Sequence, residues 1–443
     1  MKHRILYAFL PIGMAALVPT QTSVQAANTS SETFRQLDQL MDIFERVRTE
    51  YVEEVTEEQL IEGAIDGMLA SLDPHSSFLA ASDFDRMRTQ TDGEYGGLGM
   101  SVSLEEGVVK IIAPMDDTPA QKAGIKAGDY ITHIDDELIY GLSLEEAIEL
   151  MKGPPGTPVS MTIVRQGEEE PLELTLTRAI IELKPVKWET QDNVGVIRIS
   201  TFNKQTGPAT RDAIDAIEKE LGDNLLGFIV DLRSNPGGLL DQAIEVSDAF
   251  MDDGGEIVSQ RGRGKDNIQR YFARDEDMTD GKPVIVLVDE GSASASEIVA
   301  GALQDHRRAL ILGARSFGKG SVQSLIPLST DTALRLTTAR YYTPSGRSVQ
   351  EAGIEPDIIV PQLSDEHVRD RRVVRESDLR RALRNEKLDD DSVIESDDKD
   401  NPRFEVTAEE LEKQGVEDYQ LDYAVKMLGR LGGAEVKTAS AER

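Results

Sequence analysis

A chain of 443 residues has room for two or three domains, and its 39% hydrophobic content suffices for ordinary cores. It has no cysteine, which excludes disulfides, a thiolate nucleophile and thiolate metal sites. A formal net charge of -33 argues against binding nucleic acid or an anionic membrane face through bulk charge.

The N-terminus pairs a basic start, Lys2, His3 and Arg4, with an apolar stretch over 5–18 that Pro11 and Gly13 interrupt. Val24-Gln25-Ala26 then offers small residues as at a cleavage site. This pattern predicts a signal peptide over 1–26 and an exported, periplasmic protein, with an uncleaved membrane anchor as the alternative. Residues 31–90 have helical spacing. Leu37, Leu40, Met41 and Phe44 form one stripe, and Leu60, Ile61, Ala64, Ile65, Met68 and Leu69 form another behind a Thr56–Gln59 capping box. Packing or a dimer surface is the expected use.

Residues 91–178 read as a β-rich module. Strands are expected at 108–112, 130–134, 159–164 and 172–177, a short helix at 120–123 and a longer one at 143–151. The module resembles a PDZ domain in its Gly97-Leu98-Gly99-Met100 turn, in Thr118-Pro119-Ala120, in the run from Ala123 to Asp129, and in a helix carrying Leu144, Ala147 and Leu150. The resemblance implies that a peptide adds to a sheet edge and that its terminal carboxylate is held by Gly97, Leu98, Gly99 and Met100.

From 179 to 361 strands and helices alternate, as in an α/β core. Strands are expected at 194–200, 225–231 and 284–288, helices at 210–221 and 239–250, with a turn-rich Arg233-Ser234-Asn235-Pro236-Gly237-Gly238 loop between. Residues 362–443 form a charged tail. An arginine-rich helix is expected over 365–386, an acidic flexible linker over 388–401, and a helix pair over 408–431.

The chemistry concentrates where the strand at 284–288 ends. Ser292, Ser294 and Ser296 follow, and Glu297 opens a helix. Free N–H groups and the helix dipole favour negative charge there. Read blandly, Ser294 and Glu297 are a capping box. A nucleophilic Ser294 needs a base. His306 lies about 18 Å down the same helix at 1.5 Å per residue. His3, His75, His133 and His367 are no better placed. Lys319, in the glycine-flanked Phe317-Gly318-Lys319-Gly320 loop, is the remaining candidate, provided burial lowers its pKa. Gln323 can hydrogen-bond the amine without raising that pKa as a carboxylate would. The run from Gly313 to Lys319 also resembles a phosphate-binding loop. Gly320 stands where Ser or Thr should hold magnesium, and the following residues look extended.

Gly291-Ser-Ala-Ser-Ala-Ser-Glu297, Phe317-Gly-Lys-Gly-Ser-Val-Gln323, Asn235-Pro-Gly-Gly238, Tyr341-Tyr-Thr-Pro-Ser-Gly-Arg347 and Gly353-Ile-Glu-Pro-Asp357 together resemble the C-terminal processing peptidases, or tail-specific proteases. The resemblance implies a multidomain α+β protein: a crotonase-like α/β catalytic core with an inserted PDZ domain and helical terminal segments. It implies Ser294 as nucleophile, Lys319 as general base and Gln323 holding Lys319. The oxyanion hole would be the N–H of Ala295 and one from the Gly237-Gly238 loop, with Gly238 favoured. No cofactor, metal or ATP is expected. The implied partners are proteins or peptides with apolar C-termini, an adaptor protein and further copies of the chain. The PDZ module is expected to gate the site, with Arg165 as its contact to the core. The rival function is a non-catalytic PDZ scaffold or chaperone.

Overall fold

The structure, a computed structural model, describes residues 22–105, 107–264, 267–365, 373–385 and 406–441. Most of the expected signal peptide and the whole of the 388–401 linker lie outside them. Two compact units emerge, residues 1–68 and 69–443. The first holds the helix Thr22–Glu50 and most of the helix Glu57–Ala70. The capping box that opens the latter forms: Thr56 N–H donates to Gln59 Oε1 at 3.0 Å and Gln59 N–H to Thr56 Oγ1 at 3.1 Å. Leu37, Leu40, Met41 and Ile61 remain exposed. No helix among the described residues is long and apolar enough to cross a membrane.

In the second unit the central sheet runs Val186–Gln191, Val194–Ile199, Gly227–Asp231, Val284–Val288, Ala309–Gly313 and Ile358–Ile359. Its first pair is antiparallel and the rest are parallel. The five consecutive apolar residues Val284–Val288 fit because both faces are covered. Val284, Val286 and Val288 point into a core with the helices Thr206–Leu221, Leu240–Asp248 and Ala295–Asp305. Ile285 and Leu287 pack on the opposite side with Leu411, Ala424, Val425 and Leu428. The helix Tyr419–Ala441 thus supplies part of the second cover of the sheet, which its charged surroundings in sequence do not suggest.

The expected helix over 365–386 does not form in its described part. Residues 373–385 contain only the single turn Glu376–Asp378. Long side chains there bond outward rather than along a helix. Arg375 Nη1 donates to Arg315 O at 3.1 Å, and Asn385 Nδ2 to Gln350 O at 2.8 Å. A second sheet, all antiparallel, joins Ser77–Leu79, Ala333–Tyr342, Glu256–Gly262 and Ile268–Phe272, with Ser321–Pro327 also on Ala333–Tyr342.

The β-rich module leaves and rejoins the core through one ribbon, Glu94–Gly97 paired with Ala179–Glu182. Its sheet runs Met100–Glu105, Val108–Pro114, Tyr130–Ile134, Pro158–Val164 and Leu172–Thr177. Met100–Glu105 is an edge strand. The helix Leu144–Met151 starts on a complete Ser143–Glu146 capping box. Its last carbonyls are capped by the Arg178 guanidinium, which donates to Met151 O at 3.0 Å and Leu150 O at 2.9 Å.

Arg165 corrects an expectation. It makes a two-pronged pair with Asp129 at 2.8 Å and donates to Gly124 O at 2.9 Å, all inside the module. The Asp129 side chain is 1% exposed and that of Arg165 17%. Arg165→Ala leaves a buried carboxylate unpaired. It is expected to cost the module about 2 kcal/mol, discounted because Arg165 touches solvent. Hydrogen exchange of peptides from 94–182 in denaturant reads that loss. A retained cleavage rate would accompany it.

Candidate active site

Ser294 sits at the head of the helix Ala295–Asp305 with φ 55° and ψ -110°, a left-handed conformation that a non-glycine residue adopts only under constraint. Such a turn between strand and helix lifts one side chain clear of both elements. The three serines then divide. Ser292 Oγ donates to Leu232 O at 2.8 Å and accepts from Asp289 N–H at 2.9 Å. Ser296 Oγ donates to Asn235 O at 2.9 Å. Both are sealed from solvent, whereas Ser294 keeps 7% exposure. The Ser294 hydroxyl meets Tyr341, whose phenol burial pushes well above its ordinary range.

The Asn235-Pro236-Gly237-Gly238 loop is pinned against this turn. Asn235 Nδ2 donates to Ile199 O at 2.8 Å, and Asn235 O accepts from Ala293 N–H at 3.0 Å. A Cβ on Gly237 would lie 2.7 Å from Ala293 O and 2.9 Å from Ala295 N, so only glycine allows the approach. Gly237 N–H is consumed by Asn235 Oδ1 at 2.9 Å. Among the described residues the N–H groups of Gly238 and Ala295 have no protein acceptor. Gly238 and Ala295 thus offer two unpartnered donors beside Ser294, and the Gly237 N–H is already used.

The lysine loop is tied to the serine turn by a residue the sequence presented only as a cap. Glu297 is 1% exposed. Its Oε1 accepts from Ser316 Oγ at 2.5 Å and Gly318 N–H at 2.7 Å. Its Oε2 accepts from Ser294 N–H at 2.8 Å and Lys319 N–H at 2.9 Å. One carboxylate oxygen thus spans the backbones of the candidate nucleophile and the candidate base. Burial pushes the Glu297 carboxyl up to about 7 against the pull of its four donors. Gly320 N–H is held in turn by Gln350 Oε1 at 3.0 Å. With three successive N–H groups occupied and the strand Ser321–Pro327 following, the loop cannot cradle a phosphate.

The Lys319 amine lies below its ordinary pKa. Burial is the main cause and Arg335 acts in the same direction, while Glu376, Glu297 and Asp73 oppose. Gln323 departs from expectation. Its Nε2 donates to Ser321 Oγ at 3.0 Å and Thr337 Oγ1 at 3.3 Å, and among the described residues no bond joins it to Lys319. His75 Nε2 bonds Glu376 and His306 Nε2 bonds Glu256 O, so neither serves Ser294. His3 and His367 lie outside the described residues. No group of three or more His, Asp or Glu among the described residues is placed to hold a metal.

In the β-rich module Leu98 O accepts from Ala120 N–H at 2.9 Å and Gly99 O from Met115 N–H at 2.9 Å. The N–H groups of Leu98 and Gly99 have no acceptor among the described residues, and Gly99 has φ 75°. They lie at the start of the edge strand Met100–Glu105, where an added peptide strand would end. Gly97 belongs to the connecting ribbon and Met100 to the edge strand.

Residues 193–360 match the family described as Peptidase family S41, residues 110–165 match PDZ domain, and residues 6–82 match Activating protease CtpB N-terminal domain. A "Carboxy-terminal-processing protease" of Bartonella bacilliformis is 50% identical over 363 residues, 82% of this chain and 83% of that protein. "Carboxy-terminal processing protease CtpB" of Bacillus subtilis is 36% identical over 352 residues, 78% of this chain and 72% of that protein. Among solved structures, "Photosystem II D1 C-terminal processing protease" is 29% identical, with a TM-score of 0.43, covering 72% of this chain and 92% of that one.

Proposed function

The chain belongs to the carboxy-terminal processing proteases of peptidase family S41, serine-type peptidases with a PDZ domain, and we propose on that premise that it cleaves exported proteins through a Ser294–Lys319 dyad. The observation that carries this reading is the sharing of Glu297 Oε2 by the N–H groups of Ser294 and Lys319, beside the unpartnered donors of Ala295 and Gly238.

The substrate's terminal residues add to the edge strand Met100–Glu105, and the free N–H groups of Leu98 and Gly99 take its carboxylate. Neutral Lys319 accepts the Ser294 proton as Oγ attacks a peptide carbonyl. The resulting oxyanion is held by Ala295 and Gly238 N–H at the positive end of the helix. The C–N bond breaks, and the Lys319 ammonium gives its proton to the leaving amine. Water then attacks the acyl-enzyme with Lys319 again as base. In this reading the Gln323 amide oxygen, unused by Ser321 and Thr337, accepts from the ammonium when it forms. The cycle needs no nucleotide. The basic and apolar N-terminus supports export to the periplasm, and the apolar stripes of the first unit support a homo-oligomer or an adaptor surface. A scaffold that used the PDZ module alone would leave the serine–lysine constellation without a purpose.

Two unfolded reporters test peptide capture, identical except that one ends in a free apolar residue and the other in its amide. The amide should raise KM by about tenfold or more and leave kcat nearly unchanged, as loss of uniform binding does. Equal kcat/KM for the two would remove carboxylate capture from the mechanism.

A further inference from the structure

We propose that Glu376 is a positioning residue for Lys319: fixed by His75 and Gln350, it holds the lysine loop through Gly320 and sets a negative charge against the positive charge of Arg335. This rests on Lys319 being the base.

The geometry is a chain of buried contacts. Glu376 is fully buried. Its carboxylate receives His75 Nε2, 2.9 Å from each oxygen, and Gln350 Nε2 at 3.0 Å. Gln350, also fully buried, passes the restraint on through the Oε1 that accepts from Gly320 N–H at 3.0 Å. A Cβ at Gly320 would lie 2.4 Å from Gln350 N, so the two backbones can only meet at glycine. Glu376 N–H donates to Phe317 O at 3.2 Å, and Arg375 Nη1 to Ser316 O at 3.2 Å. Glu297 thus fixes the N–H groups of Gly318 and Lys319, and the Glu376–Gln350 pair fixes the next one.

The charge arrangement is equally specific. Among the described residues, Arg335, Glu376, Glu297 and Asp73 act on the Lys319 amine through their charges. Asp73 accepts from Ser76 Oγ at 2.8 Å and Thr337 Oγ1 at 3.1 Å, and Glu297 from its four donors. Glu376 has the His75 imidazole as its own titratable neighbour. Arg335 lies on the strand Ala333–Tyr342, opposite Leu325 and Ser77, and its Nε is buried without an acceptor. Arg335 pushes the lysine towards the neutral form a base needs, and Glu376 pulls it back.

A base must be deprotonated, so activity rises with pH through the lysine pKa. Glu376→Gln keeps an acceptor oxygen but removes the charge, which moves that acidic limb to lower pH. Arg335→Gln moves it to higher pH. Glu376→Asp keeps the charge but withdraws it from Gln350, so kcat falls with the limb in place.

The three full-length variants are assayed from about pH 6 to 10 on an internally quenched peptide ending in an apolar residue. In a Ser294→Ala background, the pH midpoint of Lys319 acylation by an amine-reactive reagent is read by mass spectrometry. The expected result is a displacement of about half a unit or more, opposite in sign for Glu376→Gln and Arg335→Gln, in both limb and labelling midpoint, with KM unchanged. Glu376→Asp should lose about tenfold in kcat alone. A merely structural Glu376 would lower rates equally at every pH and leave the midpoint in place, and that outcome overturns the proposal. Displacements of the same sign overturn it too. If Glu376→Gln does not fold, Arg335→Gln and Glu376→Asp carry the same decision. Should Lys319→Ala cleave like wild type, the base assignment fails, whereas the labelling midpoints still decide the charge arrangement.

Discussion

Ser294→Ala is expected to abolish cleavage, with a loss on the order of 10³ to 10⁶ in kcat and no loss of fold. The hydroxyl it removes meets Tyr341, and the Ser294 N–H on which Glu297 depends remains. The two neighbouring serines invert that pattern. Ser292→Ala withdraws a sealed hydroxyl that bridges Leu232 O and Asp289 N–H, and Ser296→Ala orphans Asn235 O of one of its donors. Each should cost about 1–3 kcal/mol of stability while leaving substantial activity in the folded fraction. The comparison is made by thermal unfolding alongside degradation of an unfolded reporter with an apolar C-terminus. An active Ser294→Ala beside an inactive but folded Ser292→Ala or Ser296→Ala would reassign the nucleophile. Lys319→Ala should match Ser294→Ala in activity, because His75 and His306 are engaged elsewhere.

What the sequence makes legible here is local. Val284–Val288 reads as a buried strand because five apolar residues in a row suit a parallel sheet covered on both faces, and both faces are covered. The Thr56–Gln59 box is legible because it closes within one turn. Glu297 shows how such reading falls short. Its bond to Ser294 N–H is local and makes it look like a cap, but its other three donors come from a separate loop and leave no periodic trace. Glu376 and His75 are distant in sequence, and no spacing pattern joins them. Arg165 is expected to reach the core, and its actual partner Asp129 lies 36 residues earlier, where no spacing pattern joins the two. Arginine-rich 373–385 has helical composition, yet its residues are held by bonds to Arg315, Gln350 and Glu351, and tertiary contacts override propensity.

Glu297→Gln tests the claim that serine and lysine are aligned by one side chain. Glutamine preserves the volume and one acceptor oxygen. It places an amide NH₂ against two of the four donors, N–H or O–H, that now point at a carboxylate. Whichever way the amide turns, either the Ser294 and Lys319 pair or the Ser316 and Gly318 pair loses its acceptor. A displacement of the lysine loop of about 1 Å is enough to cost about a hundredfold in kcat. Binding of the substrate terminus, for which Leu98 and Gly99 are proposed, should be untouched, so KM stays near wild type. Stability moves the other way with pH. The folded-state pKa of Glu297 is raised to about 7 by burial, so its contribution to stability is fully present below the unfolded carboxylate pKa and declines as pH rises towards 7. Glu297→Gln has no such proton to lose. The wild-type minus variant difference in unfolding free energy should therefore shrink between about pH 4.5 and 7 and level off above it. A variant with wild-type kcat would mean that the shared oxygen does not align the dyad. A flat difference across that pH range would mean that the carboxyl is ionised throughout.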